Sequence, residues 1–147
     1  MRSVLVVAAA VLALASAGLA SERYGVQKVV YHINYGGEAE DIAYRRALNN
    51  IQNHINAVGM DNLEVMVVLH GDGLGLLANA LDNMALQMDV TSLRAQQVGF
   101  VICENTLDGR SISYEDDLFE VFEDDIVPSG VAEVSRLQQM GFTYIKP

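Results

Sequence analysis

The sequence predicts an α/β chain, a flavodoxin-like three-layer sandwich on a mostly parallel five-stranded sheet. Two observations carry this. Segments such as "LEVMVVL" are apolar on both faces, as strands buried on both sides are, and they alternate with segments whose apolar residues recur at helical spacing. A third supports it: the strand candidates end in Gly-containing or polar loops, the punctuation expected of βα units.

In chain order, "QKVVYHINYGG" predicts a strand over about Lys28 to Ile33 that ends in a Gly pair. In "EAEDIAYRRALNNIQNHINAVG" the residues Ile42, Ala47, Leu48, Ile51, Ile55 and Val58 share one helical face, and Gly59 stops the helix. Its acidic start, Glu38, Glu40 and Asp41, suits the positive end of a helix dipole. "NLEVMVVLHGDG" is the second strand, "LGLLANALDNMALQM" a second helical stretch and "VGFVICEN" the third strand. "DDIVPSG" predicts a short fourth strand ended by Pro128, "GVAEVSRLQQMG" a helix closed by Gly141 and "FTYIKP" the last strand. Ser129 is placed to cap that last helix.

The first twenty residues, "MRSVLVVAAAVLALASAGLA", have one positive charge, an apolar run and a small-residue end, the build of a secretory signal peptide. Cleavage after Ala20 is favoured over Ala17, because polar "SERYG" follows. An uncleaved anchor is the alternative, but the run is short for a span and dominated by alanine. The remaining chain, about 127 residues, suits one domain over residues 21–147. The full chain's net charge of −10 includes Arg2, so the remaining part is slightly more acidic still; it repels phosphate backbones, and no Lys/Arg cluster offsets it, which argues against nucleic-acid binding. A soluble periplasmic protein with no membrane association after cleavage fits best.

The only cysteine, Cys103, stands where "VGFVIC" gives way to "ENTL". One cysteine cannot form an internal bridge. It is therefore a buried apolar filler, an intermolecular bridge or a chemical group. A short helix at "NTLDG" would aim backbone N–H groups at the sulfur and favour the thiolate, and Arg110 would add to this if the loop folds back. Against it, the run "YEDDLFEVFEDD" brings seven carboxylates between Glu115 and Asp125, and negative charge raises a thiol's pKa. That run reads as a helix with an apolar face of Leu118, Phe119, Val121 and Phe122 and a solvated acidic face. It lacks the spacing of a calcium loop.

His70, at the end of "VMVVLH", is open to three readings: a base toward Cys103, a soft-metal partner or a strand-end cap. His32 and His54 read as structural. "GDGLG" lacks nucleotide-loop spacing, and Asp72 would repel an anion. Ser129 is not in a nucleophile elbow. No cofactor and no metal is called for. The strand ends "NYGG", "HGDG" and "CENT" gather on one edge of such a sheet, which makes Tyr35, His70, Cys103 and Asn105 a candidate pocket.

Together "INYGG", "VVLHGDGL", "GFVICENTL" and "DDIVPSGVAEVSRLQQMGFTYIKP" resemble the DsrE/DsrF-like family, in its exported single-domain branch, over about residues 27 to 147. The resemblance implies a flavodoxin-like fold, assembly into homo-oligomers, and a cysteine that carries sulfur as a persulfide between donor and acceptor proteins. Cys103 matches that cysteine by position. The leading function is then a periplasmic sulfur carrier in sulfur-compound metabolism, a sulfurtransferase-like carrier rather than a stand-alone enzyme. The alternative is an oligomeric module that binds a small ligand or a soft metal, with Cys103 a ligand or only packing.

Overall fold

The computed structural model describes residues 23–147, and the signal peptide read at residues 1–20 lies outside them. Strands β1 (Gln27–Ile33), β2 (Leu63–Leu69), β3 (Gly99–Cys103), β4 (Ile126–Val127) and β5 (Thr143–Ile145) form one parallel sheet in the order β4-β3-β2-β1-β5. The helices are α1 (Ile42–Val58), α2 (Gly75–Asn79), α3 (Met84–Ala95), α4 (Glu104–Arg110), α5 (Tyr114–Asp117) and α6 (Gly130–Gln139). The α/β sandwich expected from the sequence is the one observed. Among the described residues no helix is long and apolar enough to cross a membrane.

The strand order decides where the helices lie. From β1 to β4 each strand is added on the same side of its predecessor; β5 then returns to the far side of β1. Crossovers between parallel strands are right-handed, so reversing the direction moves the connecting helix to the other face. Hence α1 and α3 pack on one face, against Val29, Tyr31, Ile33, Val67, Leu69, Phe100 and Ile102, while α6 packs on the other, against Val30, Val68 and Val101.

Helix α1 buries Tyr44, Ala47, Leu48, Ile51, Ile55 and Val58, the predicted face with Tyr44 in place of Ile42, which is exposed at the first position of the helix, and Gly59, at φ 92°, ends it. The acidic residues before it do not occupy its first turn. Glu40 and Asp41 have positive φ, and the Asp41 carboxylate accepts hydrogen bonds from Asn79 Nδ2 (2.6 Å) and Asn83 Nδ2 (3.0 Å). The Asp41 carboxylate thus ties the loop to the end of α2 and the cap of α3 rather than complementing the dipole.

The second helical stretch is two helices, α2 and α3. The chain breaks at residues 80–83, where Asn83 Oδ1 accepts from the N–H groups of Ala85 and Leu86 and starts a new helix. The acidic run is not one helix either. After the single turn of α5, capped by Ser113, the backbone extends at Leu118, and Glu120 takes a positive φ. The extension lets both Leu118 and Val121 reach the core, and it leaves Asp125 paired with Arg94 at 2.8 Å. Apolar burial of that loop outweighs the local helical pattern.

Candidate functional site

Cys103 ends β3 and is the N-cap residue of α4. Strand alternation turns its side chain to the α6 face, the side opposite Ile102. Its thiol is free and only 5% exposed. The α6 helix begins directly over it: a Cβ built on Gly130 would stand 3.2 Å from Cys103 Cβ and 3.0 Å from His70 Cβ. A side chain at this position would press on both Cβ atoms, and glycine lets the helix start this close without that crowding. Ser129 caps that helix by accepting from the N–H of Ala132, the predicted role.

Burial is the largest influence on the thiol and pushes its pKa up. Donors to the sulfur outweigh it: the Gly130 N–H, the Thr106 hydroxyl, and the Thr106 and Asn105 N–H groups, which leave the thiol below its ordinary value. Two helix starts, α4 and α6, thus aim N–H groups at one sulfur. The α4 contribution is the one the sequence suggests; the α6 contribution is not visible without the strand order. None of the carboxylates between Glu115 and Asp125 is among the groups that act on the sulfur. The Thr106 hydroxyl is in turn held by the Gly71 N–H at 3.0 Å, so the β2 loop buttresses the donor set.

His70 follows β2 one residue beyond the pairing of Leu69 with Ile102, which puts it alongside Cys103 on the neighbouring strand. Its Nε2 lies 2.6 Å from His32 Nε2, the two rings meeting end to end with centroids 4.8 Å apart and planes inclined by 29°. His32 Nδ1 is 2.8 Å from the Tyr144 hydroxyl. His32 therefore belongs to the surroundings of the site, not to the core, while His54 does bridge Tyr31 and Gln27 structurally. Burial lowers the pKa of both His32 and His70; His70 further lowers His32, and Lys146 lowers both. The signal for His32 was its parity in β1: it shares a face with Val30, but only β5, placed beside β1, supplies its partner.

Asn105 joins the site through its backbone N–H. Tyr35 does not. Its hydroxyl donates to the Pro147 carbonyl at 3.0 Å, and it lines a separate cleft of about 600 Å³ with Glu38, Arg46 and Lys146. The chain after β1 turns toward α1 rather than toward β3, which separates the two. Arg110 pairs with Asp72 at 2.8 Å instead of facing the thiol. "GDGLG" forms a tight turn in which Gly73 lies against the Ile33 carbonyl, a built Cβ coming within 2.0 Å of that oxygen. Among the described residues no three His, Cys, Asp or Glu side chains are grouped to hold a metal.

The site combines a buried free thiol, neutral N–H and O–H donors that favour its deprotonated form, and a histidine pair on the neighbouring strands. A solved structure from Methanobacterium thermoautotrophicum, the protein of unknown function MTH1491, is similar at 30% identity with a TM-score of 0.68; the match covers 82% of this chain and 99% of that one. No curated protein matches. The DsrE/DsrF-like family profile spans residues 27–147, from the first residue of β1 to the chain end, and includes Cys103, His70 and the α6 start. The chain belongs to the DsrE/DsrF-like family.

Proposed function

We propose that this chain is an exported sulfur carrier in sulfur-compound metabolism, with Cys103 as the carrying residue. The observation that supports it best is the place of Cys103, buried at the start of α4 directly under the start of α6, where the Gly130, Thr106 and Asn105 N–H groups lower the thiol's pKa. The donor set lowers the thiol's pKa without a fixed cation, so the negative charge of a bound persulfide would be held in the same way. In the uptake step the Cys103 thiolate attacks the outer sulfur of a donor R–S–SH. A Cys103–S bond forms, the donor's S–S bond breaks, and R–S⁻ leaves with the electron pair. A second thiolate reverses the step at the acceptor. No external oxidant or reductant is consumed.

The carrier acts in the periplasm after cleavage of residues 1–20, as a homo-oligomer that meets donor and acceptor proteins in turn. Burial of Cys103 suits that setting, because an exposed persulfide would be lost to an oxidising compartment. The mature protein incubated with polysulfide or a small persulfide should gain the mass of one sulfur atom, reversibly with reductant. The Cys103→Ser variant should gain none. Absence of any gain in the wild-type protein with every donor would reject the carrier role.

A further inference from the structure

The contacts Tyr144 Oη to His32 Nδ1 and His32 Nε2 to His70 Nε2 form an unbroken hydrogen-bonded line from β5 across β1 to β2. Tyr144 is 43% exposed, so the line starts in solvent; it ends at a residue whose Cβ shares the Gly130 contact with Cys103. Nothing in the packing of the sheet requires such a line. Adjacent positions on this face, Val30, Val68 and Val101, are apolar and buried under α6.

The short Nε2 to Nε2 contact restricts the protons. One of the two nitrogens must donate and the other accept, so both rings cannot be charged at once. Two neutral arrangements satisfy every contact. In the first, the Tyr144 hydroxyl donates to His32 Nδ1, His32 Nε2–H donates to His70 Nε2, and His70 keeps its proton on Nδ1. In the second, His70 Nε2–H donates to His32 Nε2, His32 Nδ1–H donates to Tyr144, and His70 Nδ1 is bare. Passing from the first to the second releases one proton from His70 Nδ1 and takes one up from water at Tyr144. His70 Nδ1 has no hydrogen-bond partner among the described residues.

We propose that Tyr144, His32 and His70 are a proton relay that protonates the thiolate expelled when Cys103 attacks a sulfur–sulfur bond. His70 gives the proton; His32 and Tyr144 are positioning residues that reload it. In the balanced step, Cys103–S⁻ and R–S–S–R give Cys103–S–S–R and R–S⁻, the cysteine being oxidised and the disulfide reduced; R–S⁻ then takes the His70 proton. Cys103 itself, already held by N–H donors, needs no base. The titratable and charged groups around the pair are Tyr144 from β5, Lys146 just beyond it, and Cys103 from β3. Helix α6 meets His70 through Gly130, and its Glu133 is tied to Arg136.

The relay rests on Cys103 as the nucleophile, but not on its carrying sulfane sulfur, and the test uses reactions that tell these apart. Wild type, Tyr144→Phe and His32→Asn are compared in three reactions of Cys103: exchange with an aliphatic disulfide, whose leaving thiolate is basic; exchange with an aromatic disulfide, whose leaving thiolate is not; and alkylation by iodoacetamide, whose iodide needs no proton. Both variants should slow the aliphatic exchange about tenfold or more, in keeping with general-acid assistance, and change the other two by less than about twofold. Tyr144→Phe removes one oxygen at an exposed site, so it tests the relay even if His32→Asn disturbs folding. Equal slowing of all three reactions, no slowing of any, or a wild-type Cys103 inert to both disulfides would overturn the relay. Failure to load sulfur with exchange intact would instead reject only the carrier.

Discussion

On one face of the sheet, α1, α2 and α3 enclose a continuous core in which Leu48, Ile51, Leu76, Leu77, Leu86 and Val90 are essentially inaccessible; on the other, α6 alone covers a smaller group, Val30, Val68, Val101, Val134, Leu137 and Phe142. The thinner face also bears Cys103, His70, His32 and Tyr144. A single crossover helix leaves part of a sheet uncovered, so polar side chains at the β1–β5 side can stay hydrated. The same helix brings its N-terminus down onto the end of β3. The molecule therefore places its larger core and its candidate site on opposite faces, and both placements follow from the one reversal in strand order.

Leu86→Ala on the thick face and Leu137→Ala on the thin face test this division most severely. Both side chains are buried, and Leu→Ala in a core costs 2–5 kcal/mol, so we expect about 4 kcal/mol for Leu86 and about 2 kcal/mol for Leu137, whose surroundings can relax toward solvent. Denaturant unfolding gives the two values. Equal losses would remove the distinction.

Gly130→Ala should cost about 1–3 kcal/mol, because the new methyl meets Cys103 Cβ and His70 Cβ too closely and must lift the start of α6. Its sharper effect is chemical: the Gly130 N–H leaves the sulfur, and the pH midpoint for alkylation of Cys103 should rise. An unchanged midpoint would mean that this N–H does not hold the thiolate. Thr106→Val removes the hydroxyl donor to the sulfur and strands the Gly71 N–H that it accepts. We expect roughly 1 kcal/mol of destabilisation with a smaller rise in the same midpoint.

The smallest effects are those of pH on stability. The folded values of His32, His54 and His70 lie below 6.5, so the unfolded chain binds protons that the folded one refuses. Their contribution is present above pH 6.5 and is lost as pH falls through the lower folded values. The Cys103 value is depressed below 9.0, so its contribution is present above that pH and lost as pH falls through the folded value. Thermal unfolding should show the first loss reduced in His32→Asn, and Cys103→Ser should flatten the alkaline limb. A wild-type melting temperature constant from pH 7 to 5 would contradict the histidine assignment.

The sequence by itself determined the strands, α1, α6 and the place of Cys103 at a strand end before a helix, because these depend on apolar period and on caps such as Gly59 and Ser129, which act within a few residues. It misread the stretch from Glu115 to Asp125, where helical spacing gave way to the pull of Leu118 and Val121 into the core, and it ran α2 and α3 together because the Asn83 cap lay inside an otherwise helical pattern. Only the tertiary structure decided which strand ends meet. Tyr35 and Cys103 look equivalent along the chain, yet the loop after β1 turns to α1, while β2 and β3 lie side by side. The Gly130 N–H reaches the thiol from 27 positions away in the chain, and Tyr144 reaches His32 across 112. Contacts at such separations arise from strand order and crossover direction, for which local periodicity has no signal.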